Sequence, residues 1–210
     1  MLWIIPGIII SYLVGSVPTA YIFSRLIKGA DIRKFGSGNV GATNALRLLG
    51  SGWGVTVLIL DIVKGILPVV IFPGLLNSGS LVNPDIFCII IGISCICGHN
   101  WTIFLKFKGG KGVATTLGVL IGLSAQISGL KIILALVVLT WLIIFIFSRI
   151  ISLASIIAAA SFPLLALLFR QSHPVIFSGL LLAVFIILRH KPNIKRLLEG
   201  KESRLSFKKK

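Results

Sequence analysis

Between Lys131 and Arg149 the chain runs through 17 residues, Ile132 to Ser148, without a charged side chain. A hydrocarbon solvent demands such a run, because a helix needs about 20 mostly apolar residues to cross a bilayer. Six further apolar segments can be drawn at 3–24, 53–73, 84–98, 113–130, 151–169 and 174–189. Backbone inside a bilayer must satisfy its own hydrogen bonds, so segments of this length are expected to be helical. Only 12% of the 210 residues are charged and 56% are apolar. That leaves too little polar surface to wrap a soluble fold, and no polar stretch is long enough for a second domain. The sequence predicts an all-α polytopic membrane protein with about seven transmembrane helices, forming a single integral membrane domain over 1–210.

Charge then sets the orientation. There are 21 Lys and Arg against 5 Asp and Glu. With the N-terminus outside, the inside segments are 25–52, 99–112, 149–150 and the tail from Arg189, and they hold 18 of the 21 cations. Lys131 and Arg170 fall outside, and Lys64 lies within a span. So steep an asymmetry places the N-terminus outside and the C-terminus in the cytoplasm. No positive charge precedes the first apolar stretch, which reads as a retained span rather than a cleaved signal peptide. The outer connector Asn77–Asn83 is short and uncharged, and the Lys208–Lys210 end reads as a solvated or lipid-touching tail. The basic excess is thereby explained without nucleic acid as a partner. A basic face also concentrates anions, such as lipid phosphates or phosphorylated metabolites. Cys88, Cys95 and Cys97 share one apolar segment, are odd in number and lack a His at ligand spacing. They read as packing residues rather than a metal site or a disulfide framework.

Three inside segments are basic, polar and adjoin span ends: 34–50, 98–116 and 189–202. In the first, Gly36, Gly38 and Gly41 bracket Ser37 and Asn39, a pattern that lets backbone N–H groups converge on an anion. Helix is plausible from Asn39 onward, which would put Asn44 and Arg47 three apart on one face. A hydroxyl, two amides and a guanidinium could hold a phosphate and a neighbouring hydroxyl. The plainer reading is a flexible turn with an incidental Arg at a membrane edge. In the second segment, Gly109-Gly110-Lys111-Gly112 precedes an apolar helix-compatible stretch, placing N–H groups and a Lys at a helix N-terminus. It is not an ATP-binding loop of the Walker type, since Leu105 stands where that motif needs Gly, and Gly112 where it needs Ser or Thr. The plainer alternative is a glycine-rich re-entrant turn, and His99 alone would more often cap or pack than react.

In the third segment Pro192 disfavours helix at Lys191. The last span should therefore end near His190, with Pro192 opening an interfacial helix that carries Asn193 and Arg196. Glu199 and Glu202, two of the few acids, sit among cations there; a salt-bridged amphipathic tail competes with an acid, amide and imidazole group closing a site. Asp61 and Lys64, three apart in the second span, can pair with each other, and a structural ion pair supporting the site is the favoured reading. No Gly-x-Ser-x-Gly elbow, His-x4-Asp pair or paired-Asp metal motif is present, and the sequence implies no metal and no cofactor.

Taken in order, GSGNVGATN with Arg47, GHNW through FKGGKGVATT, and RHKPNIKRLLEGKE resemble the bacterial acyl-phosphate-dependent glycerol-3-phosphate acyltransferase family over essentially the whole chain. The resemblance implies transfer of a fatty acyl group from acyl phosphate to the 1-position hydroxyl of sn-glycerol 3-phosphate at a bacterial inner membrane. The products would be lysophosphatidic acid and phosphate, for phospholipid biosynthesis. It implies Ser37 and Arg47 as critical residues and Gly109, Gly110, Lys111 and Gly112 as the phosphate-binding turn. His190 and Asn193 would support activity, and Glu202 activity or site integrity. Gly38, Asn39, Asn44 and His99 complete the candidate substrate-contacting set. Acyl phosphate, glycerol 3-phosphate and membrane lipids are the expected partners. A small organic-phosphate transporter and a lipid-binding scaffold are the rival readings; motifs clustered at one face without a visible repeat weigh against the transporter.

Overall fold

The computed structural model describes residues 4–75 and 83–205. Most of the outer connector and the Lys208–Lys210 end lie outside these residues. Among the described residues there are ten α-helices and no strand. They cluster into two compact units, 1–127 and 128–210.

The first unit contains α1 (Ile4–Ser16), α2 (Thr19–Lys28), α3 (Ala42–Leu49), α4 (Ser51–Ile71), α5 (Pro84–Asn100) and α6 (Val113–Gln126). The first apolar segment is broken where Pro18 removes a backbone donor between α1 and α2. Two tight helix pairs organise the unit, α1 with α5 and α4 with α6. Glycine makes both possible. A Cβ on Gly15 would strike the Cys95 carbonyl, and one on Gly98 the Tyr12 carbonyl. On the second pair, Gly65 meets the Thr115 carbonyl and Gly118 the Ile62 carbonyl in the same way. Small residues at helix contacts let backbones approach where lipid offers no hydrophobic drive between helices. Side-chain hydroxyls add bonds across α1 and α5: Ser11 Oγ donates to Ile91 O at 2.6 Å and Ser94 Oγ to Ile8 O at 2.8 Å. Cys88 and Cys95 are buried, and Cys95 Sγ donates to Lys64 O at 3.2 Å, a packing role of the kind expected.

The second unit contains α7 (Leu130–Ser148), α8 (Ile151–Leu168), α9 (His173–Arg189) and α10 (Lys191–Leu198). Consecutive helices pack on one another from α7 to α9. Trp141 Nε1 donates to Ser155 Oγ at 3.2 Å between α7 and α8, and Gly179 admits the Phe162 ring between α9 and α8. The chain turns by 63° from α9 into α10, with Pro192 in the first turn of α10. This is the stop and restart that Pro192 predicts.

Every drawn apolar segment is helical over most of its described residues, though not every helix has the length of a full span. Five helical stretches are long and apolar enough to cross a membrane among the described residues: Ile4–Lys28, Ser51–Gly74, Pro84–Leu105, Leu130–Ser148 and Ile151–Leu168. Counting the bent α9–α10 pair as one span gives six. The fourth drawn segment shrinks to α6, whose 14 residues rise only about 21 Å. Ile127 leaves the helical region and Gly129 takes φ +82°, so the chain ends α6 before the apolar run is used up.

Candidate active site

The first glycine segment is a shaped loop rather than a slack one. Asp31 opens it by accepting from Arg33 Nε at 2.9 Å and Arg33 Nη2 at 2.7 Å, with Arg25 3.6 Å away. The Arg33 guanidinium holds the Asp31 carboxyl down at about 2. Gly36 and Gly38 then take φ +54° and +69°, a region costly for other residues. Helix begins only at Ala42, with Gly41 extended before it, so Asn39 stays in the loop instead of starting the helix. Ser37 is exposed and Asn39 partly so, while Arg47 is exposed on α3. Ser37 Oγ accepts from the Asn39 N–H at 3.4 Å. A Cβ on Gly36 would come 3.8 Å from Arg47 Cδ, so the hydroxyl-bearing turn and the guanidinium stem are neighbours.

Asn44 has a different task from the anion contact expected of it. It is 1% exposed, and its Nδ2 lies 3.0–3.1 Å from the carbonyl oxygens of Ile32, Phe35 and Asn39. Its Oδ1 accepts the Ser37 N–H at 3.1 Å. Every polar atom of the side chain is spent on loop backbone. Asn44 therefore fixes where Ser37 sits and has no donor to spare for a substrate oxygen.

The second glycine segment is bound into the same unit. The Gly109 and Gly110 N–H groups donate to Asn100 O at 3.2 Å and His99 O at 3.0 Å. Those two amides are committed to the turn. Gly112 takes φ +79° as the N-cap of α6, whose first-turn N–H groups lack carbonyl partners within the helix. Gly110 is wedged: a Cβ there would strike His99 Nε2 and come 2.9 Å from Val40 O. This contact joins the first segment to the second. Gly110, Val40, His99, Lys64, Thr19 and Thr102 are among the residues lining one narrow cleft.

Beneath that cleft the Asp61–Lys64 pair forms as the spacing predicts, Nζ to Oδ1 at 2.7 Å. Thr19 Oγ1 donates to the same oxygen at 2.7 Å. Sequence reasoning missed Thr19, and it missed Thr102, whose hydroxyl donates to Ser16 O at 2.6 Å. It also passed over Asn100, which is fully buried beside Gly112; among the described residues neither polar atom of its carboxamide meets a hydrogen-bond partner, nor do the hydroxyls of Thr115 and Thr116. A hydroxyl or amide flanked by apolar residues gives no periodic signal of the contact it will make.

In the second unit His190 is 3% exposed at the end of α9, its Nδ1 2.8 Å from the Ile186 carbonyl. A carbonyl only accepts, so Nδ1 carries the proton and Nε2 of the neutral ring is the acceptor. Glu202 gathers three donors: Asn193 Nδ2 at 2.6 Å and Ser152 Oγ at 2.7 Å on Oε1, and Arg196 Nε at 2.6 Å on Oε2. Burial pushes this carboxyl up, but donation from Arg196, Asn193 and Ser152 outweighs it, and the net is a lowering. The carboxylate thus staples the tail to α10 and to the start of α8. The Leu205 N–H continues the seam by donating to Arg149 O at 2.8 Å. Ser152 was not anticipated, because nothing near it in sequence points to an acid 50 residues on.

Comparison with known proteins gives one consistent result. A family model described as glycerol-3-phosphate acyltransferase matches residues 5–200. A glycerol-3-phosphate acyltransferase of Desulforudis audaxviator is 45% identical over 95% of this chain and 94% of its own. Glycerol-3-phosphate acyltransferase 2 of Moorella thermoacetica is 43% identical over 97% and 98%. The crystal structure of PlsY (YgiH), an integral membrane glycerol 3-phosphate acyltransferase, in its glycerol 3-phosphate form superposes with a TM-score of 0.85 at 38% identity, covering 97% of this chain and 96% of that one. Its lysophosphatidic acid form superposes at 0.82 and 37%.

Proposed function

The chain belongs to the glycerol-3-phosphate acyltransferase family, and from that membership we propose that it acylates the 1-position hydroxyl of sn-glycerol 3-phosphate using a fatty acyl phosphate. The products are lysophosphatidic acid and inorganic phosphate. The whole chain acts as one multi-pass domain of the bacterial inner membrane, with its seven apolar helices crossing, N-terminus outside, and the motif segments facing the cytoplasm.

One observation carries this reading: the two glycine turns meet at Gly110 and Val40, with exposed Ser37 on one turn, exposed Arg47 on the helix that follows it, and Lys111 on the other turn. Both substrates bear phosphate, and cations around glycine turns suit two such groups. The glycerol 3-phosphate and lysophosphatidic acid forms of PlsY support the same substrate and product classes.

An acyl phosphate is a mixed anhydride, already activated, so transfer needs no covalent enzyme intermediate. The glycerol hydroxyl oxygen bonds to the acyl carbonyl carbon, the carbon–oxygen bond to phosphate breaks, and the hydroxyl proton leaves with the departing phosphate. Ser37 orients the hydroxyl, Arg47 holds the glycerol 3-phosphate phosphate, and Lys111 with Gly112 and the start of α6 receives the donor phosphate. Positioning and stabilisation of developing oxyanion charge supply most of the rate. His190, Asn193 and Glu202 support activity, Glu202 by holding Asn193 in place.

The test supplies purified protein with labelled glycerol 3-phosphate and, separately, acyl phosphate, acyl-CoA or acyl-carrier protein. Lysophosphatidic acid is expected with acyl phosphate alone; product with either other donor overturns the donor assignment, and none with any donor overturns the reaction. A stable acyl adduct on Ser37 formed from donor alone would overturn the direct mechanism.

A further inference from the structure

The turn that leads from α5 to the Gly109–Gly112 segment points its large apolar side chains outward. Ile103, Phe104 and Phe107 are 48%, 59% and 58% exposed, and Leu105 is the one apolar residue among them that is buried. Slack backbone does not explain that exposure. The Phe107 N–H donates to Thr102 O at 2.8 Å and the Lys108 N–H to Leu105 O at 3.2 Å. Thr102 is buried, and its hydroxyl donates to Ser16 O at 2.6 Å, fastening the turn to the end of α1.

The dihedral angles point the same way. Lys106 and Phe107 take φ +54° and +60° in succession, a conformation that Gly or Asn adopts at less cost. Exposed Lys and Phe at such positions indicate side chains kept for what they meet outside the protein. Lys106 and Lys108 flank Phe107 and are both exposed. Neither ammonium forms an ion pair among the described residues.

The turn also closes Pro84–Leu105, a stretch long and apolar enough to cross a membrane, so a bilayer surface lies beside it. At the same end Tyr12 Oη donates to Trp101 O at 2.6 Å, and Tyr and Trp favour that boundary. Water there would leave three large apolar side chains uncovered. A headgroup region covers them and offers anions to the two lysines.

We infer that the Thr102–Lys108 turn is a lipid-docking surface. Ile103, Phe104 and Phe107 enter the bilayer interface, and Lys106 with Lys108 holds the phosphate of an anionic phospholipid. That lipid is a bound partner and not a substrate, so the docking is independent of acyl transfer.

The test uses the full chain lacking its three cysteines, with a fluorophore on Phe104→Cys, in nanodiscs of phosphatidylglycerol and phosphatidylcholine. One lipid at a time carries brominated chains, at equal mole fraction. Both should quench, phosphatidylglycerol about twofold or more the stronger at low salt, with the difference shrinking at about 1 M salt. Lys106→Ser with Lys108→Ser should bring the two lipids level without abolishing quenching. No quenching by either lipid overturns the inference, because the turn then faces water or another protein. Equal quenching with both lysines present overturns it, as does a preference that survives their loss. If the cysteine-free chain does not fold, native mass spectrometry reads the same contrast with the cysteines in place. Phosphatidylglycerol retained from the mixture should fall about twofold in the double lysine variant, and unchanged retention overturns the inference.

Discussion

Asn44 shows how a buried side chain can shape a loop. Its carboxamide bridges three carbonyls and the Ser37 N–H, so Asn44→Ala leaves four loop groups to find other partners. At about 1 kcal/mol per lost hydrogen bond, thermal unfolding should report a loss of about 2–4 kcal/mol, with kcat/KM falling at least as far as in Ser37→Ala. Arg47→Ala should behave oppositely: the side chain is exposed, so stability holds while the KM for glycerol 3-phosphate rises or turnover is lost. Unchanged kinetics in that variant would remove Arg47 from the site. Glu202 gives a pH prediction. Its folded value is lowered, so its stabilisation is complete above the ordinary carboxylate value of 4.5 and disappears as pH falls through the folded value. Glu202→Gln should therefore cost about 1–3 kcal/mol near pH 7, and the difference from wild type should shrink towards zero as pH falls from the ordinary carboxylate value through the lowered folded one. A difference that persists in acid would show that shape, not charge, makes the staple.

Among the elements, α4 and α6 depend on Gly65 and Gly118 facing carbonyls. No rotamer change relieves a Cβ pressed on backbone, so Gly118→Val must push the helices apart. That should cost about 1–3 kcal/mol or more, and because α6 begins at the Gly112 cap, the KM for the phosphate-bearing substrates should rise with it. Gly52→Ala on exposed helix, with nothing near its Cβ, is the matched control and should be neutral or slightly stabilising. The helix α10 was legible for a simpler reason. Pro192 cannot continue α9 but suits the first turn of a new helix, so both the stop and the restart are written at one residue.

Over the whole molecule, the cations gathered on one set of loops should fix sidedness. In a variant lacking the three native cysteines, Glu199→Cys should react with an impermeant thiol reagent only in inverted vesicles, and Asn83→Cys only in intact cells. Labelling of both from one side would overturn the orientation.

Hydrophobic runs and the asymmetry of Lys and Arg were sufficient for a helical, multi-pass chain, because a bilayer imposes length and polarity on each segment independently of its neighbours. Three ordered motifs were sufficient for the family. The sequence also contained the Asp61–Lys64 pair, since residues three apart on a helix must meet. What packing decided was the use of each polar group: Asn44 turned inward to the loop, the Gly109 and Gly110 amides consumed by the turn, Ser152 brought to Glu202 from 50 residues away. Those outcomes depend on which backbone stands opposite, and helix-to-helix contact sets that. The basic glycine segments were visible as candidates in the sequence; only the tertiary fold separated the groups spent on holding the loops from those left at the surface.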